Sequence, residues 1–216
     1  MKKLLLVLAC SLFFLMSYSQ VLSPVFNDAR LLSKRQFKAG IGYSALGFAL
    51  KSDRTGYLNS IDVQGSYGLS EVVNIGLRYQ QSWYASEMFQ EWAASYLFAS
   101  ANISLKKDKI SLLLPLGTRF TSVSEDRPYF EFSPTLLFTI PVTPQISFNP
   151  AVELGFPFCE YCTTSFLSAD LGVGITPTEN LTFFAEYDLV YAFKDFGTGH
   201  YYMFNAGISY KFAGEE

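Results

Sequence analysis

Apolar and polar residues alternate along most of the chain with a period of two. The pattern is clearest near the C-terminus, where Tyr202, Phe204 and Ile208 are separated by smaller or polar residues. A period of two places one set of side chains on each face of an extended strand, whereas a helix has a period of about 3.6 residues. The pattern therefore predicts β-strands with one apolar face.

Ten such stretches follow one another, each about a dozen residues long, against about 5–6 residues in a typical soluble sheet. The first and fourth have the weakest alternation. The sequence predicts strands near 37–50, 56–68, 73–85, 90–104, 109–123, 129–142, 146–158, 165–176, 181–193 and 200–212. We therefore expect an all-β fold of about ten strands, with eight or twelve as alternatives.

The connections between these predicted strands alternate in length. Four are tight turns, at 69–72, 106–108, 143–145 and 176–180. The other five are mostly longer, at 51–55, 86–89, 124–127, 159–164 and 194–199. Short turns at one end, longer loops at the other and an even strand count are typical of a transmembrane antiparallel up-and-down β-barrel with both ends in the periplasm.

The polar faces of the predicted strands carry isolated charges among Ser, Thr and Gly. Eight residues are predicted to line the lumen: Asp62, Arg78, Arg119, Glu131, Glu153, Asp170, Glu186 and Asp188. They are too sparse for a water-facing exterior, and the opposite face is nearly free of charge, as hydrocarbon requires. A soluble secreted barrel of the lipocalin type is the alternative, with the charge-poor face packing its interior.

Composition favours membrane surroundings. Charged residues make up 16% of the chain, against about 25% in soluble proteins. Aromatic residues gather near predicted strand ends, such as Trp83 and Tyr191 toward the loops and Tyr67 toward the turns, as in interfacial girdles. The net charge of -3 gives no reason to expect a nucleic-acid partner. We therefore expect outer-membrane lipid as the surroundings.

The N-terminus has the pattern of a signal peptide. Lys2 and Lys3 precede an apolar run over 4–16, and small residues precede a predicted cleavage after Ser19. A lipoprotein signal acylated at Cys10 is the alternative, but it would leave a shortened apolar region before the cut. We expect a signal peptide at 1–19, a periplasmic lead-in or partial plug at 20–36, a barrel at 37–212 and a C-terminal tail at 213–216.

The end of the last predicted strand resembles the signal read by the assembly machinery of outer-membrane barrels. Asn205 is followed two places later by Gly207, and Tyr210 and Phe212 occupy the third-last and last places of the strand. It departs from the signal in that four residues follow Phe212. The resemblance implies the barrel-assembly machinery as a partner.

Other features are similar to small outer-membrane β-barrel proteins of Bacteroidota-type Gram-negative bacteria. They are the signal ending at Ser19-Gln20, the lead-in at 28–32 and the Ser/Thr-x-x-x-Asn hairpin turns, together with the closing assembly signal. This resemblance implies the fold and the location. Many such proteins have no assigned activity, so no catalytic residue follows from it.

Few residues suggest chemistry. Cys159 and Cys162 lie in a loop predicted to be outside the cell, where thiols are oxidised, so we expect a local disulfide. His200 is the only histidine, so the sequence offers too few ligands for a metal site. As partners of a catalytic histidine, Ser165 and Asp195 are candidates only because their loops are predicted at the same end. We therefore predict no catalytic residue, metal or cofactor. The alternatives are a surface hydrolase or acyltransferase, directed at lipid or peptide, that uses His200, and recognition through the loops.

The predicted lumen charges have two interpretations. Opposed side chains either plug a narrow interior or line a narrow polar pore, which would prefer cations because acids outnumber bases. We therefore expect a structural or passive small-solute transport role of the porin-like type. The sequence leaves the solute and the oligomeric state open.

Three prolines lie inside consecutive predicted strands: Pro115, Pro134 and Pro150. Each removes a backbone donor, and a closed barrel has no free edge to accommodate the loss. One interpretation is a set of bulges that bend the wall. The other is a weakened seam between the fifth and seventh strands, through which an apolar solute passes sideways into the membrane.

Overall fold

A computed structural model describes residues 28–50, 53–84, 94–121, 130–158, 165–193 and 200–212. They form one closed antiparallel barrel of twelve β segments. The segments are β1 Phe37–Leu50, β2 Asp53–Ser70, β3 Val73–Tyr84, β4 Ala94–Lys106, β5 Ile110–Thr121, β6 Phe130–Phe132, β7 Thr135–Phe138, β8 Ile140–Pro141, β9 Ile146–Phe158, β10 Ser165–Ile175, β11 Leu181–Phe193 and β12 His200–Phe212. Because β6, β7 and β8 follow one line beside β9 and together form one wall strand, the wall has ten strands, as predicted.

Pairing between the last and first strands closes the barrel. β12 pairs with β1 along 13 residue pairs, from Phe37 opposite Phe212 to Ala49 opposite His200. The other strands pair antiparallel with their sequence neighbours. The connections at 71–72, 107–109, 142–145 and 176–180 share one end, which we call the turn end; the opposite end is the loop end.

The first connection at the loop end is shorter than expected. The pairing of β1 with β2 continues past a register shift near Gly47 as far as Leu50 opposite Asp53. Only residues 51–52 therefore separate these strands, and the prediction of a connection over 51–55 was wrong. The residues predicted at 86–89, 124–127, 159–164 and 194–199 lie outside the described part of the chain.

The sixth wall strand is interrupted near its proline, yet it stays in register. Leu116 pairs with Phe132 and Leu113 with Thr135, so equal numbers of residues oppose each other across the gap. The pairing with β9 behaves in the same way, because Phe132 pairs with Phe156 and Thr135 with Glu153. A bulge would add a residue to one strand. The bulge interpretation of these prolines was therefore wrong.

The two faces of the wall differ as the alternation predicts. Outward-facing Ile61, Val63 and Leu77 are 44, 52 and 62% exposed. Asp62, which lies between Ile61 and Val63, and Arg78, which follows Leu77, are buried. Their side chains alternate because successive residues of a strand point to opposite faces. Within the described ranges, no helix has the length and apolar character needed to cross a membrane.

Candidate functional site: the charged interior of the barrel

The charged side chains predicted for the lumen lie inside the barrel. Seven of the eight are buried: Asp62, Arg78, Glu131, Glu153, Asp170, Glu186 and Asp188. Arg119 is half-buried. The strands position all of them by the same alternation that turns their apolar neighbours outward. The interior therefore holds six carboxyl groups and two guanidinium groups from these residues.

Four of the carboxyl groups share one side of the barrel, which we call the acidic wall: Glu153 of β9, Asp170 of β10, and Glu186 and Asp188 of β11. Asp170 and Asp188 are direct cross-strand partners, and like charges in that position repel each other. β9, β10 and β11 contain no Lys, Arg or His. The negative charge of this wall is therefore not neutralised by its own strands.

Hydrogen bonds hold several carboxylates of the acidic wall in place. The Nδ2 atom of Asn205 donates to Glu186 Oε1 at 3.1 Å and to Asp188 Oδ2 at 2.7 Å. The hydroxyl of Ser168 donates to Asp170 Oδ1. Asn205 was predicted as part of the assembly signal, and its role inside the barrel was not foreseen. These donors orient the carboxylates without neutralising them.

The main positive charge lies on the opposite side. Arg78 is on β3, five strands from β10 in the ring of ten. Its guanidinium carbon lies 4.8 Å from the centroid of the Phe98 ring. Asp62 lies on the neighbouring strand β2, two residues from Gln64, which is the cross-strand partner of Arg78. The interior therefore has an acidic side and a side that presents a cation on an aromatic ring.

Four of the charged lumen side chains have buried polar atoms without a hydrogen-bond partner among the described residues; Asp62 and Asp188 have one such atom each, whereas Glu153 and Arg78 have two each. Glu153 is 0% exposed, and neither of its carboxyl oxygens has a hydrogen-bond partner among the described residues. Within the same residues, the Nε and Nη2 atoms of Arg78 also lack partners at 7% exposure. A buried polar group without a partner costs about 1–3 kcal/mol, and more when it is charged. Such groups are uncommon in a purely structural core.

Two small cavities lie beside the charged side chains of the described interior. One cavity of about 20 Å³ is bordered by Arg78, Phe98 and Pro115, and another of about 20 Å³ by Asp28, Lys38 and Asn102. Each has room for roughly one water molecule. Together with the burial of the charged side chains, these volumes describe a filled interior. This arrangement matches the plug interpretation more closely than that of an open pore.

Residues 28–36 close the turn end of the barrel. Ala29 is completely buried in a cluster with Leu113, Leu137 and Ala151, and its backbone N–H donates to Thr139 Oγ1 at 2.9 Å. Asp28 and Arg30 form an ion pair of 2.8 Å beside this contact. This segment is therefore seated inside the turn end, in the position of a partial plug.

The rest of the plug segment is fixed by a backbone connection to β2. Arg35 N donates to Gly68 O at 2.8 Å, and Gly68 N donates to Gln36 O at 2.9 Å. A Cβ atom on Gly68 would lie only 2.1 Å from Ser33 O, so glycine is required for this close approach. The residues at 21–36 have no clear period, so their arrangement could not be predicted from the sequence.

Sequence reasoning missed the aromatic side chains inside the barrel. Phe98 and Phe166 are 3% and 2% exposed, and Tyr96 and Phe184 are also buried. The ring of Phe98 covers Gly117 and that of Phe166 covers Gly155, since a Cβ atom on either glycine would lie 1.9 Å from a ring carbon. The available signal was that these four aromatics occupy the positions of their strands that alternate with the outward-facing residues, and that Phe98, Phe166 and Phe184 each pair with a glycine.

Other candidates from the sequence have limited structural description. Cys159, Cys162 and Asp195 lie outside the described residues, so the disulfide stays a prediction. His200 begins β12 at the loop end, and β11 separates it from Ser165 of β10. The two backbones are therefore about 12 Å apart, since two strand spacings and two residues along β11 separate them. Among the described residues, no group of three His, Cys, Asp or Glu side chains has an arrangement that could hold a metal ion.

The residues of the predicted assembly signal lie on both faces of β12. Tyr210 and Phe212 are exposed on the outer face, with ring centroids 5.0 Å apart, and Asn205 is buried inside. Gly207 lies opposite Gly42 of β1 in the pairing that closes the barrel. Recognition by an assembly machinery stays a prediction.

Comparison with known proteins gives structural matches only. No protein-family model and no curated protein matches the sequence. The COG4313 outer-membrane channel from Pseudomonas putida F1 is 9% identical, with a TM-score of 0.52 and coverage of 89% of this chain and 100% of that chain. The outer-membrane protease OmpT from Escherichia coli is 10% identical, with a TM-score of 0.46 and coverage of 86% and 100%. The KdgM porin is also 10% identical, with a TM-score of 0.43 and coverage of 82% and 99%. At these identities the likeness concerns the fold alone, which is that of outer-membrane β-barrels.

Proposed function

We propose that this protein is a passive small-solute channel of the bacterial outer membrane, with an acidic lumen that favours cations and a resting state that is closed. The location is supported by the apolar outer face, on which Ile41, Leu77 and Leu116 are among many exposed side chains. A wall of this kind is stable in hydrocarbon and would aggregate in water. The predicted signal peptide and the resemblance to Bacteroidota-type barrels agree with this location.

The observation that carries the channel proposal is the unsatisfied charge inside the barrel. Glu153 and Arg78 have buried polar atoms without partners among the described residues, and the acidic wall has no base on its own strands. A barrel with only a structural role would gain stability from an apolar or fully hydrogen-bonded interior. Charged groups that lower the stability of the barrel have a function if they interact with a solute that passes through the lumen.

The closed state is supported by the plug segment and by the filled interior. Ala29 packs against three apolar residues inside the turn end, and the cavities beside Arg78 and Asp28 are only about 20 Å³ each. Solute passage therefore requires the segment at 28–36 to leave its position, together with a shift of lumen side chains. The predicted cleavage after Ser19 would leave eight residues, 20–27, before this segment.

Single-channel recording in a planar bilayer tests the proposal. We expect rare openings from the mature chain and frequent ohmic steps when residues 20–36 are removed. The reversal potential under a KCl gradient should indicate a preference for cations. We expect Glu153→Gln to weaken that preference. Glu179→Gln is the control, because Glu179 is exposed in a turn and the substitution removes the same charge. Folded barrels that stay silent in both forms would contradict the channel proposal.

A structural role is the second candidate, and the filled interior favours it. Under this proposal the side chains around Glu131 and Arg78 serve only to pack the barrel, and removal of the plug segment lowers stability without creating conductance. An enzyme that uses His200 stays a proposal of lower rank, since β11 separates His200 from Ser165. It predicts a hydrolytic or acyl-transfer activity that His200→Ala abolishes in a folded barrel.

A further inference from the structure

The three prolines remove hydrogen bonds from the two sides of a single strand. Ser133 N donates to Pro115 O at 3.2 Å, but Pro115 has no N–H to return the bond to Ser133 O. On the other side, Leu154 N donates to Pro134 O at 3.0 Å, and Pro134 likewise returns none. The sixth wall strand is therefore under-bonded to both of its neighbours at the same height.

Pro150 weakens the same region. In an antiparallel ladder, hydrogen-bonded pairs recur at every second residue. Leu154 and Pro134 form a hydrogen-bonded pair. Pro150 lies four residues before Leu154 on β9, so the register makes Pro150 and Phe138 a hydrogen-bonded pair as well. Pro150 cannot supply its donor, and the pairing of β7 with β9 ends at Leu137 opposite Ala151. The lost donors of all three prolines therefore lie on the two ladders of the sixth strand, which is formed by β6, β7 and β8. We call these two ladders, one with β5 and one with β9, the seam.

The inner side of the seam is lined by aromatic rings. Phe98 lies over Gly117 of β5, and Phe166 lies over Gly155 of β9, one ring on each flank of the sixth strand. The cavity of about 20 Å³ beside Arg78 is bordered by Phe98 and Pro115. The glycines leave the wall thin at these points, and the rings present apolar surface to the interior.

The outer side of the seam is apolar as well. Leu116 of β5, Phe130 of β6 and Phe156 of β9 are all exposed on the outer face. On the inner face between the two rings, the Ser133 hydroxyl donates to Glu131 Oε1 at 2.8 Å, so part of the polar surface there is occupied internally. A solute that crossed the wall at this height would meet apolar side chains on the outer face, and the two aromatic rings beside Glu131, Ser133 and Glu153 on the inner face.

We infer that the seam is a lateral route by which small, uncharged, apolar solutes pass between the barrel interior and the membrane. Each ladder of the sixth strand has fewer hydrogen bonds to break than a complete ladder, because one donor is missing on the β5 side and two are missing on the β9 side. Charged solutes are excluded, since the route ends in hydrocarbon. This route is separate from the ion-conducting role proposed above, because it needs an opening through the wall and not along the axis.

A disulfide across the seam tests this inference directly. Leu116 and Phe132 are partners on the outer face, and they alternate with the hydrogen-bonded pair Pro115 and Ser133, so they form a non-hydrogen-bonded pair. Such pairs have Cα atoms about 4.5 Å apart, a separation that a disulfide can bridge. The variant is Leu116→Cys with Phe132→Cys, in a background with Cys159→Ser and Cys162→Ser.

The matched control places the same crosslink on a complete ladder. Leu77 of β3 and Ala99 of β4 are outward-facing partners. They too form a non-hydrogen-bonded pair, because Ser104 N donates to Val72 O five residues away along β3. Leu77→Cys with Ala99→Cys therefore adds a lipid-facing disulfide of the same kind without touching the seam.

The readout is the uptake rate of the apolar fluorescent probe 1-N-phenylnaphthylamine by Gram-negative cells that produce each variant in the outer membrane. We expect the seam disulfide to lower the protein-dependent rate at least about fivefold, with recovery on reduction, and the control disulfide to leave it within about twofold. Pro115→Ala with Pro134→Ala, which restores two donors, should lower the rate by a smaller factor. Heat-modifiable migration on gels verifies that each variant is folded.

Other results overturn the inference. Unchanged uptake in both the crosslinked variant, which fixes the β5 ladder, and the double proline variant, which restores a donor on each ladder, would exclude a route at the sixth strand. Equal loss with both crosslinks, or no uptake above that of cells lacking the protein, would also exclude it. Ion conductance in a planar bilayer is measured on the same variants. A conducting barrel without seam-dependent uptake would overturn the lateral route alone, whereas seam-dependent uptake in a barrel that conducts no ions would overturn the proposed channel alone.

Discussion

The pairing that closes the barrel and the pairing around the sixth strand follow the same antiparallel rule but differ in completeness. β1 and β12 pair without interruption along 13 residue pairs. The sixth strand keeps its register but is divided into β6, β7 and β8, with prolines on both of its ladders. Register and hydrogen bonding are thus separable: side-chain alternation maintains the first, while the available backbone donors determine the second.

A proline placed in the closing ladder between β1 and β12 should destabilise the barrel more than the other substitutions below. Ala45 pairs with Phe204, and the bond from Lys211 N to Asn180 O on the other ladder of β12 makes Ala45 and Phe204 a hydrogen-bonded pair. Ala45→Pro should cost about 2–4 kcal/mol, because a donor is lost and its acceptor left unpaired. Urea unfolding of the refolded barrel in lipid vesicles measures this cost. A loss below about 1 kcal/mol would mean that both regions tolerate proline equally.

A second prediction concerns the glycines beside the sixth strand. Gly155→Ala and Gly117→Ala each place a Cβ atom 1.9 Å from a buried phenylalanine ring, and should destabilise the barrel by about 1–3 kcal/mol through overpacking. Gly65→Ala is the control near the closing ladder, because its Cβ atom would lie 3.2 Å from the Phe37 ring. The same unfolding assay applies. Similar costs at all three positions would show that the seam is no more tightly packed on its inner side than the rest of the wall.

A third prediction concerns the aromatic contact at the end of the closing ladder. Phe37 and Phe212 are cross-strand partners with ring centroids 5.6 Å apart. Phe212→Ala should cost only about 0.5–1.5 kcal/mol in the refolded barrel. If the assembly signal operates in cells, the amount of folded protein there should fall several-fold, well beyond this cost. Phe183→Ala on the outer face of β11 is the control, and an equal fall for both variants would contradict the signal.

The smallest expected effect is a gain. Pro134→Ala restores an N–H opposite Leu154 O, and one added hydrogen bond should stabilise the barrel by about 0.5–1.5 kcal/mol. Amide hydrogen exchange at Leu154 should also slow, since the local opening becomes less frequent. Faster exchange or lower stability would indicate that proline contributes packing at this position that outweighs the missing bond.

Much of the fold was readable from local patterns. Alternation such as Ile61, Asp62 and Val63 predicts which side chains face out, because a strand has only two faces and the period is two. The strand count and most strand bounds agree with the structure. The first loop was misjudged, since the pairing of Leu50 with Asp53 depends on how β1 and β2 meet and not on the composition of 51–55.

Alternation along the chain is enough to predict that strands form, how many there are and which face of each is charged. The fold is needed to know which charges meet, with Asp170 opposite Asp188 and Arg78 across from the acidic wall, and to know that Ala29 is seated inside the turn end. It also showed that the lost donors of Pro115, Pro134 and Pro150 surround one strand. The physical reason is that alternation along a strand is a local property, whereas neighbours inside a barrel depend on the register of every strand with the next.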